Sequence, residues 1–240
     1  MEDIDRTRSR AESEAAIYED LAWLGIVWED PPRRQSEHMA EYQRALARLI
    51  ELGVMYRCFR TRRAVLDALA DAPHGAPEAF TGAPLARNDE AERLARGATF
   101  AWRLSIARVR DVLGARIDTL EFCDETGRVR VDPVRLGDAV IARKDFPVSY
   151  HLASVYDDAL QNVTHVIRGH DLRDSAHLHV VLQQLLGLPT PEYRHHRLIT
   201  DAAGRRLAKR DKDETLATMR ERGVRPADVR SMLGLALQRT

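Results

Sequence analysis

Residues 149–172 read SYHLASVYDDALQNVTHVIRGHDL, and this stretch decides the fold. Its first part predicts a helix over Tyr150–Leu160. The apolar run Val163–Ile167 that follows predicts a strand, with Arg168 at the strand's C-terminal end. Toward the C-terminus, Leu172–Leu186 reads as helix, Tyr193–Ile199 as strand and Ala202–Asp213 as a polar loop. Thr215–Arg222 and Pro226–Leu237 read as closing helices. Upstream, Thr99–Ser105, Thr119–Phe122 and Gly137–Ala142 read as strands, and the turn Asp124–Gly127 leads into Val129–Val131. Alternating strands and helices argue for an α/β fold with parallel strands. In such folds ligands bind in the loops beyond the strand ends.

Further upstream, Arg10–Leu24 reads as a helix capped by Ser9 or Ser13 and ended by Gly25. Ser36 is expected to cap a second helix carrying Met39, Gln43, Leu46 and Ile50 on one face, with Gly53 as its stop. Arg62–Ala70 reads as a short third helix. Ala72–Gly97, with Pro73, Pro77, Pro84 and the Thr81-Gly82 pair, reads as a loop or insertion.

The 240 residues are enough to bury a core without disulfides, and 44% hydrophobic with 31% charged residues is a globular balance. Disordered, collagenous and disulfide-rich secreted classes are excluded. No apolar run approaches the roughly 18 residues of a membrane span. The charged start MEDIDRTRSR predicts no secretion signal, and the two cysteines, Cys58 and Cys123, suit a reducing cytoplasm. Basic and acidic residues balance at 37 each, so overall charge does not advertise a nucleic-acid binder. Of the basic residues 34 are Arg, and only Lys144, Lys209 and Lys212 are Lys.

No dinucleotide glycine fingerprint, phosphate loop or serine elbow occurs, which argues against those oxidoreductase, P-loop and hydrolase classes. The nine histidines show no metal-ligand spacing: His177 and His179 are two apart on a helix, and His195 and His196 are adjacent on a strand. Four other segments stand out. Glu2–Arg8 runs from acidic to basic residues and on its own reads as a solvated, fraying terminus. Tyr150 at a helix start offers a hydroxyl to a polar ligand, or else packs in the core. Arg168 after an apolar strand suits a bidentate clamp on a carboxylate, or else pairs with Asp171 or Asp174. Arg205–Lys212 is a plain basic surface loop, or one that closes over a polyphosphate and stabilises developing charge.

Taken together, EDIDRTR, the 149–172 run, LLGLPTPEYRHHRLI and RRLAKRD resemble the glutamyl-type class I aminoacyl-tRNA synthetases. The ordered similarity from Arg143 to Asp211 is specific beyond any short motif. By length, the chain is most similar to their short paralogous branch, the glutamyl-Q tRNA(Asp) synthetases. The resemblance implies a Rossmann-type nucleotide-binding catalytic domain over residues 1–55 and 137–212. It further implies an inserted α+β acceptor-binding-like subdomain over 56–136 and a C-terminal helical stub over 213–240. The implied activity is ATP-dependent activation of L-glutamate, without tRNA, and its transfer to the queuosine base in the anticodon of tRNA(Asp). A monomeric cytoplasmic ligase with Mg²⁺ accompanying ATP is the corresponding expectation.

Carried over residue by residue, the resemblance makes Glu2, Tyr150 and Arg168 the glutamate-binding residues, Glu2 meeting the amino group. Arg206, Leu207, Ala208, Lys209 and Arg210 match the KMSKS-type loop, in which Lys209 holds ATP and the leaving pyrophosphate as the catalytic lysine. Arg206 replaces the family's first Lys of that loop and Ala208 its Ser. In many members a Cys-x-Cys, a Tyr and a further Cys bind zinc. Here Cys58 is present, Arg60 stands at the second Cys position and 72–97 contains neither Cys nor Tyr, so no structural zinc is expected. The family's first strand, with an APSPTG-like run and a HIGH-like motif, precedes the segment matched by Glu2. The expectation is therefore a catalytic domain without its first strand, with exposed neighbouring edges. This motivates an alternative reading: a non-catalytic paralogue that binds tRNA or a protein.

Overall fold

The computed structural model describes residues 1–5, 9–61, 63–66, 79–144, 147–200 and 215–235. Its elements run α1 Ala11–Trp23, α2 Met39–Glu51, β1 Met55–Cys58, α3 Arg87–Ala95, β2 Ala101–Leu104, α4 Ile106–Leu113, β3 Glu121–Asp124, β4 Gly127–Arg130, α5 Pro133–Leu136, β5 Val140–Arg143, α6 Tyr150–Leu160, β6 His165–Gly169, α7 Ser175–Leu186, β7 Glu192–His196, α8 Leu216–Glu221 and α9 Pro226–Met232. The chain forms two units, Met1–Ser36 with Ile199–Thr240, and Glu37–Leu198. No helix among the described residues is long and apolar enough to cross a membrane.

In the larger unit, α2 buries Tyr42, Ala45, Leu46 and Leu49, a spacing of three and four that turns one stripe inward. Gly53, at φ +74°, turns the chain out of the helix in the left-handed region that glycine tolerates. β1 then pairs antiparallel with β2, Met55 opposite Leu104, and β2 pairs antiparallel with β5, Trp102 opposite Ala142, with a bulge between Trp102 and Arg103. β3 and β4 form a hairpin closed by the turn the sequence predicts at 124–127. β6 and β7 are parallel, Val166 opposite Tyr193, with α7 between them in the chain. α7 is the most completely buried helix of this unit, enclosing nine of its residues from Ala176 to Leu185.

Several expectations need correction. Among the described residues only β6–β7 pairs in parallel; the β1–β2–β5 sheet and the β3–β4 hairpin are antiparallel. Helix–strand alternation marks an α/β fold correctly but overstates its parallel content. α3 lies inside the segment read as loop, and β1, α4 and α5 were not predicted. Of the expected helix at Arg62–Ala70, residues 63–66 are helical and the rest lies outside the described residues.

In the smaller unit, Ser36 does not cap α2. His38 precedes that helix, and Ser36 instead donates from its N (2.8 Å) and Oγ (2.5 Å) to the Asp3 carboxylate. Arg10, not a serine, takes the cap position of α1, with no side-chain capping bond. Glu14 of α1 accepts from Arg34 Nε at 3.1 Å and Nη2 at 2.6 Å. Arg220 of α8 reaches Asp20 at 3.1 Å and Glu19 at 3.2 Å, tying the C-terminal helices to α1.

Candidate functional site

Arg168 sits in the last turnless stretch of β6, opposite His195 of β7, with only 7% of its surface exposed. A buried guanidinium needs partners for its five donors. It pairs with neither Asp171 nor Asp174. Instead Nη1 donates to Nδ1 of His179 at 3.1 Å, and the guanidinium lies 5.1 Å from the Tyr193 ring centre, a cation–π contact. Its Nε and Nη2 are buried and have no acceptor. Those two atoms share one edge of the guanidinium, the edge that meets a carboxylate with two parallel hydrogen bonds. Among the described residues, Arg168 is the only side chain with two such atoms.

Elements from two sides hold this edge in place. Tyr193, fully buried on β7, has its hydroxyl fixed by Gln183 Nε2 at 3.0 Å, and burial pushes that phenol up to about 12. His179 and Gln183 lie one turn apart on α7, so both reach β6 and β7 from the same face. His179 is fully buried, and its Nε2 meets Nδ1 of His151 on α6 at 3.0 Å. Burial, and then the positive charge of Arg168, hold His179 well below the usual histidine range and His151 below it. Both rings are therefore neutral near pH 7. Tyr150, at the start of α6, packs its ring 5.5 Å from His151 and 5.9 Å from His179. Ser149 N donates to Ile141 O at 2.7 Å, anchoring that helix start to β5.

The structure thus brings Tyr150 and Arg168 to one pair of histidines. Glu2 is exposed and belongs to the smaller unit. Arg206, Leu207, Ala208, Lys209 and Arg210 lie outside the described residues. Sequence reasoning missed His151 and His179. The available signal was the pair His179 and Gln183, two polar residues at i and i+4 inside the apolar run AHLHVVLQQLL.

Two other places have metal- or anion-binding residue types. The Oδ and Oε atoms of Asp124 and Glu125 and a ring nitrogen of His195 lie within 4.8 Å of one another. They engage one another and their neighbours: Asp124 accepts from Arg173 at 2.9 and 3.1 Å and from Thr126 at 2.5 and 2.7 Å, and Glu125 accepts from His195 N at 3.0 Å. This group locks the β3–β4 turn to β7. Cys58, buried on β1, lines a hollow of about 350 Å³ with Arg60, Arg103, Arg143 and Lys144.

Residues 1–237 match the family model described as tRNA synthetases class I (E and Q), catalytic domain. The chain is 41% identical to the glutamyl-Q tRNA(Asp) synthetase of Rhodobacter capsulatus, over 98% of this chain and 86% of that protein. It is 39% identical to the protein of the same name from Nocardia farcinica, over 97% of this chain and 71% of that one. Among solved structures it resembles a glutamate tRNA ligase from Elizabethkingia meningosepticum in complex with its amino acid, with a TM-score of 0.73 and 25% identity. That match covers 98% of this chain and 53% of the ligase, so the chain spans about half of that structure's length.

Proposed function

Because the chain belongs to the family of class I tRNA synthetase (E and Q) catalytic domains, a family of ligases, we propose that it activates L-glutamate with ATP and transfers it to the queuosine base of tRNA(Asp). The observation that carries the glutamate reading is the open Nε/Nη2 edge of buried Arg168. A planar, permanently charged fork in a water-poor site selects a carboxylate. Glutamate has two, and a carboxylate gripped by two hydrogen bonds is a poor nucleophile. Arg168 therefore holds the side-chain carboxylate and leaves the α-carboxylate free to react.

An α-carboxylate oxygen then attacks the α-phosphorus of ATP, a new O–P bond forms, and pyrophosphate leaves with the electron pair of the broken bond. A hydroxyl of the queuosine base next attacks the activated carbonyl, expelling AMP and leaving an ester. Glu2 receives the substrate's ammonium group, and Tyr150 lines the pocket around its side chain. Lys209, in the Arg206–Arg210 loop, neutralises the departing pyrophosphate, with Mg²⁺ accompanying ATP. The rate gain comes from positioning and charge stabilisation rather than a covalent enzyme intermediate. The queuosine step is supported by the names of the relatives and by their overlap with nearly all of this chain.

The test is glutamate-dependent exchange of pyrophosphate into ATP without tRNA, followed by transfer of labelled glutamate to tRNA(Asp) with and without queuosine. Exchange with glutamate alone among the amino acids, abolished in Arg168→Ala, is the expected result. Exchange with no amino acid, together with salt-sensitive tRNA binding, overturns it in favour of a binding paralogue.

A further inference from the structure

The hydrogen-bond chain behind Arg168 admits one assignment of protons. Arginine only donates, so Nδ1 of His179 must present a lone pair to Nη1 at 3.1 Å. A neutral His179 then carries its proton on Nε2 and donates it to Nδ1 of His151 at 3.0 Å. His151 in turn carries its own proton on Nε2. Reversing any member of this chain sets N–H against N–H at Arg168 or leaves a buried nitrogen unpaired.

We propose that His179 is a positioning residue for substrate recognition: as a neutral acceptor fixed by His151, it sets the orientation in which Arg168 offers its Nε/Nη2 edge to the carboxylate of glutamate. This rests on the reading of Arg168 given above. Two restraints define a guanidinium plane, and Arg168 has two. The Tyr193 ring lies along its face at 5.1 Å, and His179 fixes its rotation within that plane through Nη1. The choice of an imidazole over a carboxylate has a consequence. An acidic residue on Nη1 would neutralise Arg168 and weaken its hold on an anion, whereas a neutral acceptor leaves the full positive charge for the ligand. Tyr150 packs its ring edge-on to His151 and tilted to His179, so the second substrate-facing residue is braced by the same pair.

The experiment combines glutamate affinity by calorimetry with nitrogen NMR of the histidine rings, on the full chain. His179→Leu removes the acceptor, His179→Asn restores an acceptor near the Nδ1 position, and Arg168→Ala removes the fork. We expect His179→Leu to weaken glutamate at least about tenfold while the chain stays folded and ATP affinity holds, and His179→Asn to recover most of the loss. We also expect ring spectra of the unsubstituted chain to show His179 as the Nε2–H tautomer. A proton on Nδ1 of His179 overturns the proposal whatever the affinities are, including the case in which His179→Leu does not fold. Unchanged glutamate affinity in His179→Leu, with binding lost in Arg168→Ala, overturns the positioning role and leaves the Arg168 reading standing. Unchanged affinity in Arg168→Ala, or no glutamate binding by the unsubstituted chain, overturns the reading of the site itself and the proposal with it.

Discussion

Two buried ions in the larger unit are treated in opposite ways. Asp138, 4% exposed just before β5, has both carboxylate oxygens engaged: Tyr56 Oη at 2.9 Å and Gly82 N at 2.8 Å on one, Ile106 N at 3.0 Å on the other. Its backbone is equally engaged, N donating to Phe80 O at 2.6 Å and O accepting from Arg103. The preceding Gly137, at φ +52°, runs so close that a Cβ there would sit 2.5 Å from Phe80 O. Arg168 is nearly as buried, yet two of its donors face nothing. Arg57 and Arg103 also bury an unpaired Nε, but one each, and both lie over aromatic rings, Arg57 at 4.7 Å from Trp102 and Arg103 at 4.5 Å from Phe80. The saturated ion fastens β1, the 80–82 segment and α4 together. The unsaturated one retains binding capacity, which is what a ligand site requires.

The comparison breaks most visibly in stability. Asp138→Ala strands a buried phenol, the buried N–H of Ile106 and the half-buried N–H of Gly82, and should cost about 3 kcal/mol. Arg168→Met fills similar space without a charge and removes two donors that had no partner, but it strands one buried acceptor, Nδ1 of His179, so it should cost far less than Asp138→Ala. Urea denaturation should therefore show a large loss for the first variant and a much smaller one for the second, which keeps its fold and loses glutamate. Equal losses in both would make Arg168 a fastener, and the distinction between the two ions would collapse.

A pH titration sharpens the same contrast. His151, His177 and His179 are all held below the ordinary value of 6.5, chiefly by burial. Arg168 adds to this at His151 and His179; at His177 the nearby Asp174 and Asp132 oppose it, while Arg135 and Arg173 reinforce it. In the unfolded chain these rings take up protons as pH falls below 6.5, while the folded chain keeps them neutral. The unfolded state then binds more protons, so stability falls as pH falls, at a limiting slope of about 1.4 kcal/mol per pH unit for each ring. Asp3 and Asp124, held below 3.8 through hydrogen bonds from Ser36 and from Thr126 and Arg173 that outweigh burial, lose their contribution only at lower pH. Between pH 6.5 and about 5, above the range in which Glu14 and Glu125, both held below 4.5, take part, the histidines govern the slope. His179→Asn should reduce that slope by one ring, and urea midpoints across this range measure it. An unchanged slope would mean that His179 is protonated in the folded chain.

How much of this was legible in the sequence depends on how locally each feature is determined. α6, β6, α7 and β7 follow from apolar periodicity within single segments, and the structure places all four within a few residues of the predicted spans. β1 was missed because Met55, Tyr56 and Cys58 are all buried, so the strand has no alternation to read. α3 has no buried residue and follows a segment rich in proline and glycine; an ion pair from Arg57 to Glu90 ties it to β1, a contact invisible to local pattern. Arg168 and Tyr150 stood out as candidates because residue type and position at an element's end limit what they can do, and the structure brings both to the same two histidines. The histidines did not stand out, because the question asked of them was metal spacing, and their role comes from α6 and α7 converging on β6 across the fold.

The smallest expected effect lies outside the interior. Thr215 and Thr218 form a reciprocal cap on α8: Thr215 Oγ1 accepts from Thr218 N at 3.2 Å and Thr218 Oγ1 accepts from Thr215 N at 2.8 Å. Both are exposed, so water replaces either partner that is lost, unlike at Asp138. Thr215→Ala should therefore cost only about 0.5–1 kcal/mol. α8 has six residues, too few to persist without its cap and the Arg220 pairs to Glu19 and Asp20. Amide exchange over Leu216–Glu221 should rise in the variant, while that of α6 and α7 stays unchanged. Faster exchange in α7 as well would show that the cap stabilises the buried site, and that saturated hydrogen bonds at the surface and in the interior are not independent in this protein.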